Sequence, residues 1–234
     1  MEAVDAIIML GRIIRLKNLR REMHPAIAMF SDSFDQMPEN EQNGNFDKTI
    51  IFMPGFFAKR IYYSRFFEYF YRKGISIVSP QGLVRNTISW NQAHKVISRT
   101  IKKIEDATGE IPILIGHSKG GVDVIGVLPK HSEIAEAFLI ATPLRGSSLG
   151  ALELLYGTDN RTFDKSLLKD ADILSKITAV VSRADCIVPP REGIVPGAKR
   201  EITIKSRNGK GSQWDTHTGL PYHARRQIFQ CITK

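Results

Sequence analysis

The residues of this sequence that are best suited to chemistry form the run 116–120, GHSKG, with Ser118 at its centre. A serine in the pattern G-x-S-x-G suits a sharp turn from a strand into a helix, because the crowded turn leaves no room for side chains two residues to either side. Such a turn exposes the serine Oγ as a nucleophile. The context favours this interpretation over a structural Gly-Ser turn, since the apolar run 111–115 precedes the motif and the helix-like run 122–128 follows it.

A serine hydroxyl is a weak nucleophile unless a base removes its proton and an acid orients that base. A sharp strand-to-helix turn with the nucleophile at its tip is called a nucleophile elbow. In proteins with such an elbow, the acid and then the base follow the serine along the chain. Asp185 is the favoured acid, because it comes just after the apolar run 177–182, at the edge of a sheet where functional groups collect. The alternative is an aspartate that caps the next turn. Asp170 and Asp172 precede that run and are poorer candidates.

Two histidines follow Asp185, and either could serve as the base. His217 lies in the loop QWDTHTG, whereas His223 comes two residues after Pro221, inside the last predicted helix or at its start. A loop brings an imidazole over the elbow more readily than a helix does, so the sequence favours His217, with a surface histidine as the plainer interpretation. His117, inside the elbow, is expected to pack beside the nucleophile.

The negative charge that develops on an attacked carbonyl oxygen needs N–H donors that are already in place. The backbone N–H of Lys119, at the start of the predicted helix, is one candidate. The other is the backbone N–H of Phe56 in the loop MPGFFA, where Gly55 permits a close turn. The alternative is an ordinary strand-to-helix loop. This chemistry requires no metal and no organic cofactor.

The elements that must position these residues alternate along the chain from Lys48 onward. Short apolar, β-branched runs occupy 49–53, 75–79, 111–116, 137–141, 177–182 and 201–205, and helical patterns occupy 61–72, 90–107, 120–128 and 221–232. Apolar strands alternating with helices indicate a parallel sheet that is covered on both faces. The sequence therefore predicts an α/β fold, a doubly wound and mainly parallel sheet of about six strands, with a small helical cap over 146–174 where the alternation breaks.

Aromatic residues are concentrated in the loop after the first strand and in the first predicted helix. They could line an acyl pocket or form the buried face of that helix, and the second arrangement is the commoner one at this spacing. These residues are Phe56, Phe57, Tyr62, Tyr63, Phe66 and Phe67.

The predicted domain organisation is an N-terminal helix with an acidic linker over 1–47, followed by one domain over 48–234. The net charge is +9, and residues 59–103 carry ten Lys or Arg but only one acid, Glu68. A basic surface of this kind is most often only a solvated surface, and the alternative is peripheral contact with an anionic membrane or an acidic substrate. No nucleic-acid-binding motif is present, so no nucleic acid partner is expected.

The sequence contains no apolar stretch of the roughly 18 residues that a membrane span requires. Glu2 and Asp5 stand where a signal peptide carries positive charge. A cytoplasmic location, with membrane association as an option, is therefore expected. Cys186 and Cys231 are too few for a disulfide framework and are expected to be reduced thiols, although a single bridge remains an alternative.

From about Lys48 onward the chain resembles the small lipase and esterase branch of the α/β-hydrolases. The resemblance rests on the PGF loop, the run GHSKGG, the stretch TPLRGSS at 142–148, and the loops that contain Asp185 and His217. Two features depart from the family pattern. Pro-Gly replaces the usual His-Gly of the oxyanion loop, and residues 1–47 have no counterpart in the family.

The resemblance implies a triad of Ser118, Asp185 and His217, with Phe56 and Lys119 supplying the oxyanion hole. It further implies hydrolysis of a small-molecule or lipid ester through an acyl-serine, and hence a part in lipid metabolism. A thioesterase or an acyltransferase would use the same acyl-serine. An alternative of another class is a catalytically silent hydrolase fold that serves for binding.

Overall fold

The computed structural model of this protein describes residues 48–146, 148–151, 164–205 and 216–234. Its sheet has six strands, all of whose pairings are parallel, in the order β2-β1-β3-β4-β5-β6. The strands are β1 (Lys48–Met53), β2 (Ile75–Val78), β3 (Ile113–His117), β4 (Ala137–Ile140), β5 (Ile177–Ser182) and β6 (Arg200–Ile204). The predicted fold class is therefore confirmed.

Helices connect the strands and cover the sheet. They are α1 (Ser64–Tyr71), α2 (Trp90–Thr108), α3 (Lys119–Val127), α4 (Ala171–Lys176), α5 (Pro190–Gly193) and α6 (Leu220–Ile232), with 3-10 turns at Arg60–Tyr63, Gln81–Asn86, Leu128–Lys130 and Lys165–Lys169. Helices α1 and α6 pack against each other, and so do α2 and α3. Within the described ranges, no helix combines the length and the apolar character needed to cross a bilayer.

The two helical layers enclose two hydrophobic cores, one on each face of the sheet. In β1, Ile50 and Phe52 belong to the core beneath α1 and α6, whereas Ile51 and Met53 belong to the core beneath α2 and α3. All four side chains are fully buried. Because neighbouring strand residues point to opposite faces, a strand covered on both faces must be apolar throughout, which explains the continuous runs seen in the sequence.

Local chemistry sets the helix ends. Ser89 and Gln92 form a capping box at the start of α2, and Gly109 ends this helix in the left-handed conformation with a φ of +71°. The first predicted helix, 61–72, is a 3-10 turn that continues into α1. The strand predicted over 111–116 begins at Ile113.

The aromatic residues divide between the two expected arrangements. Tyr63, Phe66 and Phe67 are at most 2% exposed and contact Phe52, with ring centroids 4.5 to 5.4 Å apart, so they form part of the core. The remaining three are half-buried; they are Phe56, Phe57 and Tyr62. Lys59, which the charge count assigned to the basic surface, is only 2% exposed.

Only part of the predicted cap belongs to the described residues. Residues 148–151 are helical, and the turn Lys165–Lys169 and helix α4 lead directly into β5. Asp170 caps α4 through its carboxylate, which accepts from the backbone N–H groups of Asp172 and Ile173. The intervening cap residues 152–163 and the predicted N-terminal helix and linker, 1–47, lie outside the described residues, so the division into domains stays a prediction.

Candidate active site

Ser118 occupies a strained turn between β3 and α3. Its φ of +54° and ψ of −122° lie in a region that L-residues rarely adopt. A Cβ on Gly116 would lie 2.4 Å from the carbonyl oxygen of Gly120, and one on Gly120 would lie 2.2 Å from that of Met53. Two side-chain-free positions are therefore required here, as the sequence pattern indicates, because backbone atoms occupy the space.

Asp185 and His217, separated by 32 residues in the sequence, meet in space. His217 Nδ1 lies 2.9 Å from Asp185 Oδ2, and both side chains are buried. The other carboxylate oxygen, Oδ1, accepts from the backbone N–H groups of Ile187 at 2.9 Å and Val188 at 2.8 Å. These two N–H groups fix the carboxylate so that Oδ2 faces the imidazole. His223 lies on α6 and is half-buried.

His117 joins the histidine loop to the elbow. Its ring centroid lies 4.9 Å from that of His217, and its Nε2 lies 3.0 Å from the backbone oxygen of His217. Since a carbonyl only accepts, Nε2 carries the proton and donates. Burial, followed by the neighbouring His217 charge, holds the pKa of His117 well below its usual value. His117 is therefore neutral, and its Nδ1 accepts from the Tyr63 hydroxyl at 2.8 Å.

The loop that carries Phe56 lies directly against the elbow. A Cβ on Gly55 would be 3.1 Å from His117 Nδ1 and 3.2 Å from Ser118 Cβ. Phe56 follows Gly55 in the chain, and Lys119 is the first residue of α3. The two candidate oxyanion donors therefore belong to segments that adjoin Ser118.

The side chain of Lys119 is buried in a polar cluster beneath this loop. Its Nζ lies 2.8 Å from Asn86 Oδ1, 3.2 Å from each oxygen of Asp123, and 4.4 Å from the ring centroid of Trp90. Burial lowers the pKa of Lys119 and raises that of Asp123, and the attraction between the two charges opposes both shifts. Asn86 also donates to Asp123 Oδ2 at 2.7 Å and to the carbonyl oxygen of Pro54 at 2.8 Å.

Arg145 and Ser148, from the TPLRGSS stretch, bind the loop that carries Asp185 and the residues that follow it. Glu192 accepts from the backbone N–H of Ser148 at 2.9 Å, and the Ser148 hydroxyl donates to the carbonyl oxygen of Ile187 at 2.6 Å. Arg145 donates to two further carbonyl oxygens of this region, those of Arg191 and Ile194. The segment therefore supports the carboxylate loop.

Sequence reasoning missed the roles of four residues around the site: Asn86, Asp123 and Glu192 were not singled out, and Tyr63 was expected only as a pocket or core aromatic. Asp123 follows Lys119 by four residues, a spacing that predicts an ion pair on a helix, but such a pair is usually exposed. The other three had no sequence signal, because their partners are distant along the chain. Among the described residues, no group of three His, Cys, Asp or Glu side chains could hold a metal ion.

The fold is that of the α/β-hydrolases. The chain is similar to monoacylglycerol lipase of Paleococcus ferrophilus, with 17% identity, a TM-score of 0.56, and coverage of 81% of this chain and 95% of that one. Similarity to Bacillus licheniformis lipase BlEst2 has 13% identity, a TM-score of 0.58, and coverage of 85% and 96%. The chain is also similar to Est1E of Butyrivibrio proteoclasticus with bound ferulic acid, with 14% identity, a TM-score of 0.54, and coverage of 85% of this chain and 94% of that one. No protein-family model matches the sequence, and no curated protein matches it.

Proposed function

We propose that this protein hydrolyses carboxylic esters of small molecules or lipids through an acyl-serine intermediate. Ser118 is the nucleophile, His217 the base and Asp185 the acid that orients it. The observation that carries the proposal is the buried 2.9 Å hydrogen bond between His217 and Asp185, whose loop is tied through His117 to the elbow.

In the proposed reaction, Nε2 of His217 takes the proton of the Ser118 hydroxyl while Oγ attacks the ester carbonyl. The backbone N–H groups of Phe56 and Lys119 stabilise the oxyanion that forms. His217 then protonates the departing alkoxide, which leaves as the alcohol. Water attacks the acyl-serine by the same route, with His217 as base, and releases the carboxylic acid. Asp185 stays ionised and holds Nδ1–H toward itself.

The α/β-hydrolase fold and its lipase neighbours support an ester hydrolase, and the site geometry supports the assignment of residues. A thioesterase or an acyltransferase would form the same acyl-serine and differs only in the leaving group or the acceptor. A silent fold used for binding is the remaining alternative. It is disfavoured by the strain retained at Ser118, since strained backbone persists mainly where function requires it.

The decisive experiment is Ser118→Ala, with Ser132→Ala on an exposed loop as the matched control. The Ser118 variant should lose turnover of aryl esters by a factor of about a million, together with covalent labelling by a fluorophosphonate. The control should retain both activities. Labelling of Ser118→Ala at the wild-type rate would contradict the assignment, and an unlabelled wild-type protein would favour the binding function.

Substrate class is tested separately with a series of aryl esters from acetyl to palmitoyl, together with the matching thioesters. Faster turnover of esters than of thioesters supports the proposal. A preference for thioesters favours the thioesterase, and products in which the acyl group has moved to an added alcohol favour the acyltransferase.

A further inference from the structure

One peptide group of the oxyanion loop is held at both of its ends by buried side chains. The carbonyl oxygen of Pro54 accepts from Asn86 Nδ2 at 2.8 Å, and the N–H of Gly55 donates to the Tyr63 hydroxyl at 3.0 Å. Because a peptide group is planar, fixing its oxygen and its N–H fixes its orientation. The next N–H along the chain is that of Phe56, the proposed oxyanion donor.

Each of these two restraints begins at a residue beside Ser118. On one side, the Tyr63 hydroxyl that accepts from Gly55 donates to Nδ1 of His117. On the other side, the Asn86 amide that donates to Pro54 accepts from Nζ of Lys119. The two neighbours of the serine therefore reach opposite ends of the same peptide group, each through one bridging side chain.

We propose that the bridges His117–Tyr63 and Lys119–Asn86 are positioning devices that hold the second oxyanion donor in register with the nucleophile. This inference rests on the proposed function and extends it to side chains that do not touch the substrate. The physical reason is that oxyanion donors stabilise charge only if they are aligned before it develops. A displacement of about 1 Å in a catalytic group can cost about 100-fold in rate.

The burial of the ion pair argues against a role in stability alone. The side chains of Lys119 and Asp123 are both 0% exposed, and burying two charges costs solvation that an apolar pair of similar volume would not lose. Asn86 Oδ1 accepts the hydrogen bond from Lys119 Nζ, and the Asn86 backbone lies in the left-handed region, at a φ of +44°. Its amide nitrogen joins the ion pair to the loop by binding both Asp123 and Pro54.

The same arrangement restrains the loop farther along. The N–H of Phe57 donates to the carbonyl oxygen of Arg85 at 2.5 Å, and Arg85 also has a positive φ, of 63°. Two successive non-glycine residues in the left-handed region thus present a carbonyl and an amide to the oxyanion loop. This geometry is uncommon, and it aligns the segment 85–86 with the loop over several residues.

The experiment compares two variants with a control. Tyr63→Phe removes one bridging hydroxyl and keeps the ring that packs on Phe52. The double variant Lys119→Met with Asp123→Leu removes the ion pair without leaving an unpaired charge. Tyr69→Phe, on helix α1, is the control because the ring of Tyr69 contacts Phe70 and Phe229 rather than the loop.

Both test variants should be labelled by a fluorophosphonate about 10- to 100-fold more slowly than wild type. Their kcat for an aryl ester should fall by a similar factor with little change in KM. The acid limb of the pH profile should stay in place, because the hydrogen bond between Asp185 and His217 is untouched. All rates are measured well below each variant's Tm, and the control should match wild type.

Wild-type rates in both variants would overturn the inference and leave the proposed function intact. A loss of activity accompanied by a shifted acid limb of the pH profile would also overturn the inference, because the substitutions would then act on the protonation of the base. So would a loss that disappears when the temperature is lowered to where the variant is fully folded. If the wild-type protein neither labels nor hydrolyses esters, the proposed function fails and the inference fails with it.

Discussion

Replacing Asp185 with asparagine tests the acid in a way that the structure makes unusually specific. Oδ1 of Asp185 accepts from the backbone N–H groups of Ile187 and Val188, so an asparagine must place its oxygen at this position. Its NH₂ group then faces His217 Nδ1, where the carboxylate oxygen stands 2.9 Å away. Two donors cannot share a hydrogen bond, so His217 must carry its proton on Nε2, and Nε2 can no longer accept the Ser118 proton.

The expected loss follows from this change of tautomer. A base held in the wrong tautomer costs about 10⁴-fold in kcat, or roughly 5.5 kcal/mol of barrier. Stability should change little, because asparagine keeps the volume and the two backbone hydrogen bonds. Steady-state kinetics with an aryl ester, together with thermal unfolding, measures both quantities.

Asp185→Ala is the companion variant, because it removes the orienting group without imposing a tautomer. It should lose its activity together with some stability, since the buried N–H of Val188 and the part-buried N–H of Ile187 lose their acceptor. The reasoning is refuted if Asp185→Asn retains more than about a tenth of wild-type kcat, because the carboxylate would then not set the tautomer of the base.

Three further predictions follow from the structure. His217→Ala should abolish turnover while His223→Ala on α6 retains at least about a tenth of it; kinetics on both variants decides, and the reverse result would move the base to the helix. Burial, together with the charges of Lys119 and Lys130, lowers the pKa of His94 to about 4 from 6.5. As pH falls from 6.5 to 4 the unfolded chain therefore takes up a proton that the folded chain refuses, so the free energy of unfolding should fall by roughly 2–3 kcal/mol. His94→Gln should reduce that fall in denaturant titrations at pH 6.5 and pH 4, and an unchanged pH dependence in the variant would contradict the assignment of this fall to His94. Finally, if the basic surface serves a membrane interface, the protein should sediment with anionic vesicles more than with neutral ones, and less so as salt rises; equal or absent binding to both vesicle types would show that the surface is only solvated.

Local sterics and hydrophobic periodicity made it possible to predict the strands and the serine turn from the sequence. The six strands follow from apolar runs that must be buried on both faces, and the elbow follows from glycines whose Cβ atoms would collide with backbone oxygens. Chain order left two histidines as candidates for a base. These signals lie within short segments, because a turn or a strand is specified mainly by its own residues.

The cluster of buried polar side chains around the oxyanion loop could not be predicted in this way. Lys119 and Asp123 have the spacing of a surface ion pair, yet both side chains are fully buried. The residues near Asn86 and Tyr63 in the sequence do not indicate their hydrogen-bond partners. Asn86 bonds to Pro54, which is 32 residues away along the chain, and Tyr63 bonds to His117, which is 54 residues away.

The sequence by itself determined the order of elements, the strained turn and the kinds of residue available for chemistry. Only the tertiary structure decided which of two histidines meets Asp185, and which buried side chains hold the oxyanion loop against the elbow. The physical reason is that hydrogen bonds act over about 3 Å, whereas the residues they join here are separated by tens of positions. Only packing of the helices on the sheet brings such residues within reach.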